Sequence, residues 1–433
     1  MDRNIVILTG NHLCHNPRAI KEGATLANAG YSVTVLGAWF NKDLKARDME
    51  MQRHIPFDFK PVIDTTASPA ARLGARVSTK LGSLAHRFAG VDNRRQLGHS
   101  YTALLRAASR QPADLSIAHS EPAMAVAVEL IRQGRRVAID MEDWYSENHS
   151  IDDGRARPAG LLHALERELL TTSAHATCPS LAMSEALATE FGCPCPAVVY
   201  NAFPFSDRGL MDRLSKDRTD QRVPSVHWFS QTLGRDRGLE DLVAALPLLR
   251  HDIRIHLRGN PAAGFEEWLA DCVPAKWRHC IVIHQLVPNA ELLSRIAEHD
   301  IGFSGETRHI PNKDLTVSNK ILHYLLAGLA VVASDTAGQR EIAKGAPGAV
   351  FLYPSGDRSA LAAKLDSFLG TAGSLSHAKA AALDAASRTF CWERQEEILL
   401  ESVRCALGSP VALQPPFTHA FAGALRSRPL TLR

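Results

Sequence analysis

Residues 318–335 carry two patterns in succession that leave few architectures open. Ile321, Leu322, Leu325 and Leu326 recur at helical spacing, and Gly328 stands where such a helix would end. Directly behind it, residues 329–333 form an unbroken apolar run, as a strand buried on both faces does. Helix, glycine and buried strand in that order belong to a parallel sheet covered by helices on both sides. Ser318 or Asn319 can cap the helix, so it begins with free backbone N–H groups and the positive end of a dipole. Lys320 lies in that first turn, where a cation opposes the dipole, and its placement predicts an anion in front of it.

The same alternation runs through the chain. A strand over 5–9, a polar loop over 10–16, a helix from Pro17 to Gly30 and a strand over 31–36 make a parallel pair with a right-handed crossover. Strands are expected over 115–118, 136–139, 175–178 and 197–200, with helices over 122–133 and 160–172, the latter pointing Glu166 and Glu168 outward. The segment 201–224 is charged, carries no long apolar run and breaks the pattern. Alternation resumes with strands over 226–229, 253–257, 281–284, 299–303 and 349–352, and a helix over 239–249. The expected organisation is therefore an α/β chain of two doubly wound, Rossmann-like domains facing across a cleft. These are 1–200 and 225–390, joined by the linker 201–224. A helix over 391–408 is expected to pack back toward the first domain, followed by a loosely ordered tail over 409–433.

Composition narrows the partners. A formal net charge of +3 over 433 residues gives no case for nucleic acid. The eight cysteines are scattered, Cys193 and Cys195 form the only close pair, and no second pair completes a zinc site. Reduced thiols and a cytoplasmic protein are expected, since no leader pattern opens the chain and no apolar run suffices to span a bilayer. Residues 65–91 contain Arg72, Arg76, Lys80, His86 and Arg87 and no acid, beside an apolar stripe of Leu73, Val77, Leu81, Leu84 and Phe88. This stretch is read either as a helix lying on an anionic membrane surface or as a surface helix packed on its own domain.

Polar clusters stand at successive strand ends, where ligands bind in doubly wound folds. In the first unit these are Asn11 and Asn16 in the 10–16 loop, His119 in His-Ser-Glu-Pro, and the acidic run Asp140, Glu142, Asp143 and Glu147. In the second they are 230–238, Arg258-Gly259-Asn260, Gln285-Leu-Val287, and Ser304-Gly305-Glu306. The chain thus resembles the GT-B fold glycosyltransferases, in particular the family 4-like group that transfers a sugar from a nucleotide donor with retention. Gln231-Thr-Leu-Gly-Arg-Asp-Arg237-Gly238 looks like that family's glycine–arginine–x4–lysine–glycine element. Asn319-Lys320 through Gly328 to Ser334 looks like its nucleotide-contacting helix and following strand, and Asn16-Pro17-Arg18-Ala19 is a typical opening.

The resemblance implies His119, Arg237 and Lys320 as catalytic groups. It implies Gln231, Thr232, Gly238, Arg258, Gly259, Gln285, Val287, Glu306, Asn319 and His323 for the donor. Asn11, Asn16, Arg18, Asp140, Glu142 and Asp143 would face the acceptor. No metal or other cofactor is expected; the partners are a nucleotide-sugar donor and a saccharide or lipid-linked acceptor. The chain departs from the family pattern in three places. Thr232 stands for the first arginine, Arg237 for the lysine, and His323 for the second glutamate of an E-x7-E pair that usually holds the ribose. Two other readings of the same fold are a nucleotide-sugar 2-epimerase and a non-catalytic partner subunit.

Overall fold

A computed structural model describes residues 3–67, 94–148, 158–218, 220–235, 238–371 and 373–408. Two wholly parallel sheets organise them. The first has the order β3-β2-β1-β4-β5-β6-β7, with β1 (Asn4–Leu8), β2 (Ser32–Trp39), β3 (Asp58–Asp64), β4 (Leu115–Ala118), β5 (Val137–Asp140), β6 (His175–Cys178) and β7 (Ala197–Val198). The second has the order β10-β9-β8-β11-β12-β13, with β8 (Ser225–Leu233), β9 (Arg254–Pro261), β10 (Ile281–His284), β11 (Ile301–Ser304), β12 (Ala330–Ser334) and β13 (Val350–Tyr353). In both, the order reverses beside the first strand, which opens a crevice at the carboxyl ends of the strands. The two sheets with their flanking helices are the GT-B arrangement.

Helix Asn319–Ala327 starts at Ser318, whose side chain accepts from the Lys320 N–H, and stops at Gly328 in the left-handed conformation (φ +79°). Ile321, Leu322, Leu325 and Leu326 are buried, and every residue of β12 is buried. The last described helix, Trp392–Ala406, lies against the first domain: Trp392, Leu399 and Val403 join Ile5, Leu26 and Val35 in one core. Trp392 also donates its indole N–H to Thr25 Oγ1 at 2.9 Å. No helix among the described residues is long and apolar enough to cross a membrane. The basic stretch over 65–91 lies, apart from Thr65, Thr66 and Ala67, outside the described residues, as does the tail over 409–433.

Several local expectations are corrected. Helices Lys42–Met51 and Tyr101–Arg110 and the edge strand β3 were not read from the sequence. Lys42–Met51 buries only Asp48, so it has no apolar stripe to detect, and β3 contains Pro61, which an edge strand tolerates. Residues 230–233 continue β8 across a bulge against β9 instead of forming a loop. Helix Leu239–Ala245 is shorter than expected because Pro247 turns its end into a 3-10 segment, Leu246–Leu248. Glu166 points inward, not outward: it is buried and accepts from Ser146 N (3.0 Å) and Ser146 Oγ (2.5 Å), and burial raises its pKa to about 7.

Candidate functional site

At the carboxyl edge of the second sheet, the loop after β11 and the start of helix Asn319–Ala327 meet. Lys320 Nζ lies 2.6 Å from Glu306 Oε1, which Ser318 Oγ also approaches at 3.2 Å. Glu306 is fixed from behind. Its N–H donates to Ser334 Oγ (2.8 Å), and its carbonyl accepts from Ser334 Oγ (2.8 Å) and Ser355 Oγ (3.2 Å). Gly238 (φ +77°) lies against Gly305; a Cβ on it would come within 2.6 Å of Gly305 backbone atoms, so only glycine lets these loops touch. The anion predicted before Lys320 is thus supplied by the chain itself. Gln231, Thr232, Gln285 and Asn319 are exposed on this side, with Val287 half-buried. Arg237 lies outside the described residues.

His323 is held away from its expected task by the chain crossing between domains. Its ring packs on Phe203 with centroids 3.6 Å apart and meets Phe229 edge-on at 5.4 Å. Nδ1 donates to the Asn319 carbonyl at 3.0 Å, and burial lowers the imidazole pKa to about 4, so the ring is neutral. Arg258 also departs from expectation. It is buried, donates to the Gln285 carbonyl (2.5 Å) and pairs with Asp217 of the linker, so it serves the linker and not an open pocket. Gly259 is explained by packing, since a Cβ would lie 2.5 Å from the Ser230 carbonyl oxygen.

In the first domain, the strand-end residues form a buried charge network. Arg18 donates to both Asp140 oxygens (2.5 and 2.7 Å) and to the Val199 carbonyl (2.5 Å), and Thr177 Oγ1 donates to Asp140 (2.5 Å). His119 is wholly buried. Nδ1 faces Glu142 (2.8 Å) and Asp140 (3.2 Å), and Nε2 bonds Glu22. Burial alone would lower its pKa, but the charges of Glu22 and Asp140 outweigh that and hold it well above the ordinary value. Both ring nitrogens are thus engaged by carboxylates of the chain in this arrangement, at the histidine expected to be catalytic. Arg18 and Asp140 satisfy each other, and Asn16 is buried with its Nδ2 on the His12 carbonyl (2.6 Å); none of the three is open to an acceptor. His119, Asp140 and Glu142 bring their ligand atoms within 4.8 Å of one another, and the Arg18 guanidinium already pairs with Asp140 in this cluster. Asn11 is exposed and Glu142 half-buried. Asp143, whose pKa burial raises, accepts from Asn312 of the other domain at 2.8 Å.

Residues 224–371 match the model of the glycosyl transferases group 1 family. The match falls on the second unit, which is similar to a group 1 glycosyltransferase domain. Solved structures agree at the level of fold. Anabaena HepE in complex with UDP and glucose superposes with a TM-score of 0.67 at 16% identity, over 93% of this chain and 99% of that one. Sucrose-phosphate synthase from Thermosynechococcus elongatus gives 0.69 at 13%, over 93% and 98%. A UDP-forming trehalose-phosphate synthase from Burkholderia xenovorans gives 0.64 at 13%, over 93% and 99%. No curated protein matches the chain.

The second domain and the linker touch the first domain through groups that sequence reasoning missed. Asn312 Oδ1 accepts from the Trp144 N–H (2.7 Å), and Ser180 Oγ donates to the Leu315 carbonyl (2.7 Å). Glu341 accepts from Leu181 N (3.1 Å) and Ala182 N (3.0 Å), placing a carboxylate at the amino end of helix Leu181–Phe191. Lys21 reaches Asn201 from the first helix, 2.7 Å from Oδ1. Each partner lies far away in sequence, so periodicity gave no signal for them.

Proposed function

We propose that the protein moves a sugar from a nucleoside-diphosphate sugar to a saccharide or lipid-linked acceptor with retention of anomeric configuration. The observation that carries this is Lys320, half-buried at the first turn of helix Asn319–Ala327 in a domain similar to a group 1 glycosyltransferase domain. Cleaving the donor bond builds negative charge on the leaving diphosphate while the sugar takes on oxocarbenium character. Fixed cations and free N–H groups lower that barrier because they are oriented before charge develops. Lys320 and the helix start supply them here, and Arg237, with its bidentate fork, is proposed as the second cation. Cations of the chain, in place of a metal, would then meet the diphosphate charge. Glu306, on releasing Lys320 to the phosphates, is left beside the sugar and can accept from its hydroxyls.

HepE holds UDP and glucose in its structure, which makes a UDP-hexose the first donor to try. The basic, apolar-striped stretch over 65–91 supports an acceptor presented at an anionic membrane. The test is transfer from a panel of nucleotide sugars to lipid-linked and free saccharides, with product configuration read by NMR. Transfer with the donor's anomeric configuration kept is the expected result; an inverted product, or donor converted to a 2-epimer without acceptor, overturns the reading.

A further inference from the structure

We propose that Lys21 and Asn201 are positioning residues that decide which end of the Asn319 amide faces a bound diphosphate; this rests on the donor site proposed above. Lys21 projects from helix Pro17–Asn28 of the first domain onto the crossing segment, between the rings of Phe203 (4.8 Å) and Trp392 (4.7 Å). Burial lowers the pKa of Lys21 well below its ordinary value, but charged or neutral the amine has hydrogens to give, and both polar atoms it meets are acceptors. They are the Ala202 carbonyl and Asn201 Oδ1. With its oxygen so committed, Asn201 turns Nδ2 toward Asn319, and the atom it meets at 3.1 Å is Oδ1. Asn319 is left with its Nδ2 hydrogens, which have no partner among the described residues, on the exposed first residue of the helix beside Lys320.

The direction of this relay matters for an anion. As set by Lys21, Asn319 adds donor hydrogens to those of Lys320 and the helix start. Reversed, the same amide would turn a carbonyl oxygen toward phosphate oxygens. One amine of the first domain thus orders a polar group at the binding end of the second, through the segment by which the chain crosses between them.

Asn201→Asp tests this, because an aspartate accepts from Lys21 and from Asn319 alike and forces Asn319 to turn its Nδ2 inward. Titrations of UDP, GDP and ADP by calorimetry should show Asn201→Asp binding about tenfold more weakly than Asn201→Ala, the worth of one hydrogen bond to a charged group. In an Asn319→Ala background the difference should vanish. Lys21→Met should weaken binding and show no further loss when combined with Asn201→Ala; if it fails to fold, the asparagine series still decides. Equal binding by the two Asn201 variants overturns the proposal, and so does an aspartate penalty that survives Asn319→Ala, which would be plain charge repulsion. A wild-type protein that takes up none of the three nucleotides removes the donor site itself, and this inference with it.

Discussion

Lys320 and Glu306 face each other at 2.6 Å, with side chains only 15% and 14% exposed, at the point where β11 and helix Asn319–Ala327 converge. A cation against its own helix dipole is held by a carboxylate 14 positions earlier in the chain. A diphosphate arriving here must share or displace that carboxylate. Glu306→Gln removes the competing charge and keeps an acceptor oxygen, so UDP should bind several-fold more tightly. Lys320→Met should bind about tenfold more weakly. Calorimetric titration of both variants with UDP checks the opposite signs.

Gly238→Ala should be costly. The site combines φ of +77° with a Cβ position 2.6 Å from Gly305 backbone, and a backbone neighbour cannot rotate away as a side chain can. A loss of about 1–3 kcal/mol is expected from strain of this kind, seen as a lower melting temperature, together with weaker UDP binding.

Four buried or half-buried histidines stack along one face of the second sheet. Ring centroids lie 4.7 Å apart for His227 and His299, 4.5 Å for His256 and His299, and 5.1 Å for His256 and His284. Burial lowers the pKa of each, that of His256 from 6.5 to about 4. Because the folded state disfavours the charged form, their stabilisation is complete above pH 6.5 and is lost as pH falls toward 4. His256→Gln should therefore make the melting temperature less sensitive to pH between 6.5 and 4, measured against wild type by calorimetric scanning.

Glu341 predicts the opposite slope. Burial at the contact with helix Leu181–Phe191 raises its pKa from 4.5 to about 7. Its stabilising effect is full below pH 4.5 and fades as pH rises through 7, while the uncharged form is lost. Glu341→Gln should remove this component, so its melting temperature should gain on wild type as pH is raised from 4.5 to 7.5.

How much of this was legible in the sequence depended on range. The helix and strand of 318–335 were legible because cap, apolar spacing and glycine stop all lie within that stretch. The demand of Lys320 for an anion was legible too, but the identity of that anion was not, since Glu306 belongs to another loop. His119 drew attention by its place at a strand end. Its enclosure by Glu22 of the first helix and by Asp140 and Glu142 at the end of β5 joins separate elements, which no local pattern encodes. Helix Lys42–Met51 escaped notice because what it buries is Asp48, which accepts from the Leu13 and Cys14 N–H groups and binds His12. Polar cores of this sort leave no hydrophobic period to read.

The central claim is a donor site around Lys320, and binding tests it before any acceptor is known. Purified full-length protein should be titrated by calorimetry with UDP-, GDP- and ADP-linked sugars, alongside Lys320→Met. Saturable binding of at least one of them, weakened about tenfold by Lys320→Met, is the predicted result. No heat with any of them, or binding unchanged in the variant, would contradict it.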